Sequence, residues 1–295
     1  MPPGLVTTSP GSKGRHRASA AAARGAWPAQ ADAPTGGAAE PFTQFTAEYA
    51  AQHPDRPITL LQAGCTTAGS ELDLAAVRAS GADLVVSLAD DDCPAARDTA
   101  ESRPELSSAT LAEMRQLPVT PRSLDIVQCS MLLHRIGNAE LVLSRLVGAL
   151  RPGGLLLLRT ADRQTAAGAL DRMLPQFARV MAWRMARPGE PGPFPARYEP
   201  IASARGVELF ASRHGLVIAH RQARRAAARK SGRAAPVAAA RALVGRLSGG
   251  RFTSRHDELR YVIRKPEDPF ARVITGATGE AEAGETEAGG GRRQD

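Results

Sequence analysis

Three stretches of the chain gather residue types that could hold a ligand and work on it. The first is Leu60-Leu-Gln-Ala-Gly-Cys-Thr-Thr-Ala-Gly69, in which apolar residues give way to small ones. Gly64 can adopt backbone angles that other residues resist, which lets the main chain approach a ligand closely. A helix beginning after such a turn offers unpaired N–H groups. A glycine turn alone is a weak signal, since packing selects it too. The second stretch is an apolar run at 84–89 that ends in Asp90-Asp91-Asp92. A carboxylate at a strand end accepts hydrogen bonds from paired ligand hydroxyls, whereas the plainer reading is a solvated charge run. The third is Glu113-Met114-Arg-Gln-Leu-Pro-Val119, followed by Ser123-Leu-Asp-Ile-Val127 and, after Ser130, by Met131-Leu-Leu-His134. In its neutral form His134 could take a proton near neutral pH, although a histidine there also serves local structure. Asp162 is a weaker candidate for the same task. Cys65, Cys93 and Cys129 stand far apart, without CxxC spacing or a histidine at metal-ligand distance. They read as reduced structural thiols, and no metal is expected.

These candidates need a scaffold, which the apolar pattern supplies. Short apolar runs at 58–63, 84–89, 124–129 and 155–158 read as strands, with a weaker one near 109–113. A helix begins near Leu72, and another at 139–150 stops at Pro152-Gly153-Gly154. Strands alternating with helices imply βαβ crossovers, a parallel sheet covered on both faces, and a ligand at the carboxyl ends of the strands. Helices follow at 166–187 and 201–214, with a Pro/Gly loop through 195 between them. Strands at 216–219 and 259–264 close the pattern. The fold class is therefore α/β, doubly wound and Rossmann-like, in one domain over 42–270. Residues 1–41 are rich in Ala, Gly, Pro, Ser and Arg, and 271–295 in Gly and Glu. Neither segment has the large apolar side chains that would offset the entropy of ordering, so both read as disordered extensions. The first lacks the apolar h-region of a secretory signal, though its Arg- and Ser-bearing, acid-poor character also suits a transit peptide.

In this order the motifs resemble those of class I S-adenosylmethionine-dependent methyltransferases of the type 11 kind. Gly64 and Cys65 match the family's Gly-Cys-Gly-x-Gly turn, with Gly69 close behind, and Asp90 stands where the family places the acid for the ribose hydroxyls. Glu113 and Met114 resemble the pair that meets the adenine, and Ala149-Leu-Arg-Pro-Gly-Gly-Leu is similar to the family's Leu-x-Pro-Gly-Gly segment. The resemblance implies strand order 3-2-1-4-5-7-6 with strand 7 antiparallel. It also implies S-adenosyl-L-methionine as cofactor, held by Gly64, Cys65, Thr66, Ala68, Gly69, Asp90, Asp91, Glu113, Met114 and Ser130, with His134 as the candidate base. Direct displacement onto a small-molecule acceptor is the expected chemistry, since no Asn-Pro-Pro-Tyr-type motif is present. The turn departs from the pattern at Thr66 and Ala68, where the family has glycines, and at Gln62, where it has an acid. Those departures motivate an alternative: a catalytically inactive relative serving as a binding or regulatory module.

The charge points to a further surface. Only three of the 38 basic residues are lysine, a bias that, with abundant alanine, glycine and proline, suggests a high-GC, actinobacterial genome. Arg221 to Arg255 holds ten Arg or Lys and no acid, and the other residues sum to 28 minus 30, or −2. The basic insert over 222–255, between the last two strands, is a candidate weak contact for polyanions and motivates a second alternative, a nucleic-acid-associated protein that uses it on phosphates, while 234–247 within it could form a basic amphipathic helix at a membrane surface. A solvated insertion is the plainer reading. Met173, Phe177, Met181, Trp183 and Met185 could cover an acceptor site or simply pack as core. No apolar run is long enough to span a membrane, and a cytoplasmic location is expected.

Overall fold

The structure is a computed structural model that describes residues 40–64, 72–186, 192–225, 235–249 and 251–267. Its centre is a seven-stranded sheet of order β3-β2-β1-β4-β5-β7-β6, the order the motifs imply. The strands are β1 (Ile58–Ala63), β2 (Leu84–Asp90), β3 (Ser108–Leu111), β4 (Leu124–Ser130), β5 (Leu150–Ala161), β6 (Val217–Arg224) and β7 (Glu258–Arg264). β1 to β5 are parallel, and β7 pairs antiparallel with both β5 and β6.

Period-2 alternation divides the apolar side chains between the two faces. Leu155 and Leu157 join Ile58, Leu60, Val86 and Val262 in one cluster. There they meet Phe42 and Tyr49 of α1 (Pro41–Ala51) and Leu74 and Val77 of α2 (Leu74–Ala79). Leu156 and Leu158 join Leu61, Val127, Tyr261 and Ile263 in the other, under Val142, Leu143 and Leu146 of α4 (Ala139–Ala149) and Phe210 of α7 (Ala204–Arg213). Each of these four central leucines is essentially inaccessible, and burying one is worth about 1.5–3 kcal/mol.

The remaining helices are α3 (Pro94–Glu101), α5 (Ala166–Met173), α6 (Gln176–Ala186) and α8 (Ala235–Leu247). Several start on a side-chain cap: Asp73 accepts from Ala76 N–H, Thr165 from Gly168 N–H and Ser203 from Gly206 N–H. Such caps stabilise a helix end by about 1 kcal/mol each.

Several elements differ from the sequence expectation. The helix expected over 166–187 is two, because Pro175 disfavours the helical region for the residue before it and Leu174 is extended at ψ 132°. The strand expected at 216–219 continues to Arg224, since it pairs with β7 as far as Glu258. Arg221 and Arg224 therefore belong to the edge strand, where charged side chains are at home. α1 and α3 had no counterpart in the apolar pattern, and β5, expected at 155–158, already starts at Leu150. Residues 1–39 and 268–295, most of the two expected extensions, lie outside the described residues.

Candidate functional site

The carboxyl ends of β1, β2, β3 and β4 converge on one edge. Gly64 closes β1 with φ +75°, in the left-handed region, and its N–H donates to Ala89 of β2 at 3.0 Å. An added Cβ would lie 2.7 Å from Leu132 Cβ and 2.8 Å from the Ser130 carbonyl oxygen. The turns after β1 and β4 are thus pressed together, and a side chain at Gly64 would part them. Cys65, Thr66, Ala68 and Gly69 lie outside the described residues. Gln62 is fully buried and its amide donates to Gln128 of β4 at 2.7 Å, so the position of the expected acid is part of an amide pair.

Asp90 ends β2 with 0% exposure, and its carboxylate is held by Arg135 of the β4–α4 loop, itself 3% exposed. Asp90 Oδ1 also accepts from the Asp91 N–H at 2.8 Å. The Phe194 ring lies over the Arg135 guanidinium, 4.6 Å from its carbon to the ring centroid. Asp91 turns the other way, and its Oδ1 accepts from the Met114 N–H at 3.2 Å, tying the end of β2 to the turn after β3. Met114 is buried; Glu113 is exposed and engaged by Arg115 and by Gln116 at 3.0 Å.

On the β4 side, Ser130 is buried and Met131 takes φ +51°. A non-glycine residue there costs of order 1 kcal/mol or more and is a common mark of a functional turn. His134 follows, half-buried, its ring 5.4 Å from that of Tyr198. The segment from 192 to 199 is fastened across this loop. The N–H groups of Arg197 and Tyr198 donate to the His134 carbonyl at 2.9 and 3.0 Å, and Glu199 accepts from Asn138 and Ala139 N–H at 2.6 and 2.8 Å. A carboxylate at the start of α4 also complements the helix dipole. Burial, then the neighbouring Asp171, pushes the Tyr198 phenol up, so it stays protonated.

At the end of β5, Asp162 is 2% exposed and its Oδ2 meets His256 Nε2 at 2.9 Å. Met173, Phe177 and Met181 are 75%, 73% and 63% exposed, and Trp183 meets Phe194 edge-on. Met173, Phe177 and Met181 are thus surface, not core, while Trp183 is partly buried. Among the described residues no three His, Cys, Asp or Glu gather to hold a metal ion, and no helix is long and apolar enough to cross a membrane.

The sequence-predicted residues Gly64, Asp90, Asp91, Met114 and Ser130 thus share one end of the sheet. Arg135, Phe194, Glu199 and His256 complete it and were not anticipated. A legible hint existed only for Arg135, an arginine set among Leu132, Leu133 and Ile136, where a buried cation requires a buried acid. His256 meets Asp162 across 94 residues of chain, a pairing that no local pattern encodes.

The strand order, with its antiparallel seventh strand, is that of a doubly wound, Rossmann-like α/β fold. A family model described as a methyltransferase domain matches residues 61–158, from β1 to β5. Among solved structures, an S-adenosylmethionine-dependent methyltransferase from Mesorhizobium loti is similar at 17% identity and TM-score 0.47, over 77% of this chain and 98% of that one. The plantazolicin methyltransferase BamL, solved with SAH and a triazolic desmethylPZN analog, is similar at 13% identity and TM-score 0.46, over 78% of this chain and 85% of that one. The [4+2]-cyclase SpnF is similar at 14% and 0.45, over 78% and 81%. No curated protein matches.

Proposed function

We propose that this chain binds S-adenosyl-L-methionine and transfers its methyl group to a small-molecule acceptor by direct displacement. The observation that carries the reading is the placing of a buried acid, Asp90, at the end of β2, one strand from the Gly64 turn, within the stretch the methyltransferase model matches.

The residues present fit the cofactor in kind. Asp90 offers a carboxylate for the ribose hydroxyls, and the turn held by Asp91 brings buried Met114 to the adenine position. Glu113, next to it, is exposed and engaged by Arg115 and Gln116, and reaching the adenine amino group requires it to leave those partners. Gly64 stands at the end of β1 toward the methionine part, where the motif also assigns Cys65, Thr66, Ala68 and Gly69, and Ser130 lines the β4 side. When bound, the cofactor supplies an electrophilic methyl group on a sulfonium. The protein's contribution is alignment, because a displacement gains most from holding nucleophile and methyl group in line. Engaging the ribose requires Asp90 to exchange its Arg135 partner for hydroxyl donors. Arg135 lies beneath Phe194 of the segment fastened to the His134 loop, so cofactor entry and the position of that segment are coupled. His134, the candidate base of the sequence motif, lies beside Tyr198, and its carbonyl holds the loop by accepting from the Arg197 and Tyr198 N–H groups, a local structural role rather than that of the base.

Incubation with methyl-tritiated S-adenosylmethionine and fractionated small-molecule extracts tests the acceptor class. Label is expected in the small-molecule fraction and is lost with Asp90→Asn. Label confined to protein or nucleic acid overturns the assignment.

A further inference from the structure

We infer that Asp162 and His256 form the proton-accepting pair of the acceptor half of the site, and that the acceptor carries a hydroxyl group. The inference rests on the methyl-transfer reading above.

Asp162 lies immediately beyond β5, and His256 two residues before β7, which runs antiparallel to β5. Both therefore stand at the carboxyl edge of the sheet, on the side of β4 away from β1 and β2, where the ribose and adenine residues lie. The carboxylate is fixed at both oxygens. Oδ1 accepts from the Gln164 N–H at 2.8 Å and Oδ2 meets His256 Nε2 at 2.9 Å. The main chain is held independently: the Asp162 N–H donates to the Asp257 carbonyl at 3.0 Å, the Ala166 N–H to the Thr253 carbonyl at 2.8 Å, and Arg225 to the Ser254 carbonyl at 2.6 Å. The side-chain pair is thus not needed to close this turn. Asp162 is buried, while the imidazole keeps 13% of its side-chain surface accessible.

A carboxylate on Nε2 sets the tautomer. In the neutral ring Nε2 carries the proton and donates it to Asp162, which leaves the Nδ1 lone pair on the opposite side of the ring. That is the form a base requires, with the buried acid able to stabilise the imidazolium that results. In the step assigned here, Nδ1 takes the hydroxyl proton as the acceptor oxygen bonds to the methyl carbon. The methyl–sulfur bond breaks and its electron pair returns to sulfur, leaving a neutral thioether, the methyl ether and a protonated His256. Asp162 is a positioning residue. A carboxylate acceptor would need no such base, which is why the pair points to a hydroxyl.

Two phenols separate a base from a structural tie. Phenol is protonated at pH 8, whereas 4-nitrophenol is largely ionised and needs no proton removed. With His256→Gln, transfer to phenol is expected to fall by about 100-fold or more, and transfer to 4-nitrophenol by less than about threefold, with SAH affinity unchanged. Nitrogen-15 NMR of histidine-labelled protein is expected to show the proton on Nε2 in the parent chain and a shift toward Nδ1 in Asp162→Asn. Equal losses on both phenols, an unchanged rate on phenol, transfer to neither, or a proton resident on Nδ1 in the parent chain would overturn the assignment. Failure of the parent chain to bind SAH is a different result, which strikes the methyl-transfer reading itself.

Discussion

Removing Arg135 separates what the Asp90–Arg135 pair does for the fold from what Asp90 does for a ligand. The two side chains are 0% and 3% exposed, so Arg135→Met leaves a carboxylate buried without its counter-charge. Breaking a buried pair on one side costs about 3–5 kcal/mol. For a domain of this size 1 kcal/mol moves Tm by roughly 2–4 °C, which gives a drop of roughly 6–20 °C. Asp90→Asn costs a similar amount, because it strands the guanidinium. The double substitution costs less than the sum, with a coupling of about 2 kcal/mol in a double-mutant cycle read by urea unfolding. Ligand affinity divides the two single variants. Arg135→Met keeps Asp90 and is expected to hold SAH at least as tightly as the parent chain. Asp90→Asn should lose about tenfold for one charge-assisted hydrogen bond of roughly 1.5 kcal/mol. Stability losses below about 1 kcal/mol in both variants would refute the buried pair, and equal SAH affinity in both would refute Asp90 as the ribose residue.

Three further outcomes are expected. Burial favours protonation of Asp125, but Arg56, the Thr59 N–H and hydroxyl, and Arg151 outweigh it and hold the carboxyl well below the usual range. The stability this supplies is present above the ordinary aspartate value of about 3.9 and is lost as pH falls below it. Asp125→Asn, costing about 2 kcal/mol at pH 7 with its arginines partly screened, should therefore narrow its gap to the parent chain in urea unfolding as pH falls from about 5 to about 2, and a gap that stays constant over that range contradicts the reading. Gly64→Ala should cost about 1–3 kcal/mol, from positive φ and the clash with Leu132 and Ser130, and a neutral result would place that turn elsewhere. Arg246→Glu with Arg251→Glu should elute from heparin at lower salt, whereas Arg221→Gln should not, since Arg221 already faces Glu208 at 3.2 Å. Identical elution of all three proteins would remove the basic segment as a polyanion surface.

The sheet was legible because its physics is local. Leu155 to Leu158 and Ile58 to Ala63 carry the near-continuous apolar runs of strands covered on both faces, and α4 gives way to β5 at Leu150, just ahead of Pro152-Gly153-Gly154. Legibility ended where distant residues decide. The length of β6 depends on pairing with β7, and the break between α5 and α6 follows from Pro175, a local signal overshadowed by apolar helical periodicity on either side. At the site, Asp90 was identifiable from its place after an apolar run, but its partner was not, because a strand-end acid reads the same whether a ligand or an arginine meets it. Asp162 was noticed for its position after β5, while the histidine it meets lies beyond the basic segment. Glu113 illustrates the reverse case: its motif position suggested a cleft residue, and its side chain pairs with Arg115 on the surface.

Isothermal titration of the parent chain with SAH tests the central claim most directly. The account predicts a saturable heat at a single site, with affinity reduced about tenfold by Asp90→Asn and retained by Arg135→Met. No binding at millimolar SAH by a chain shown to be folded would contradict it.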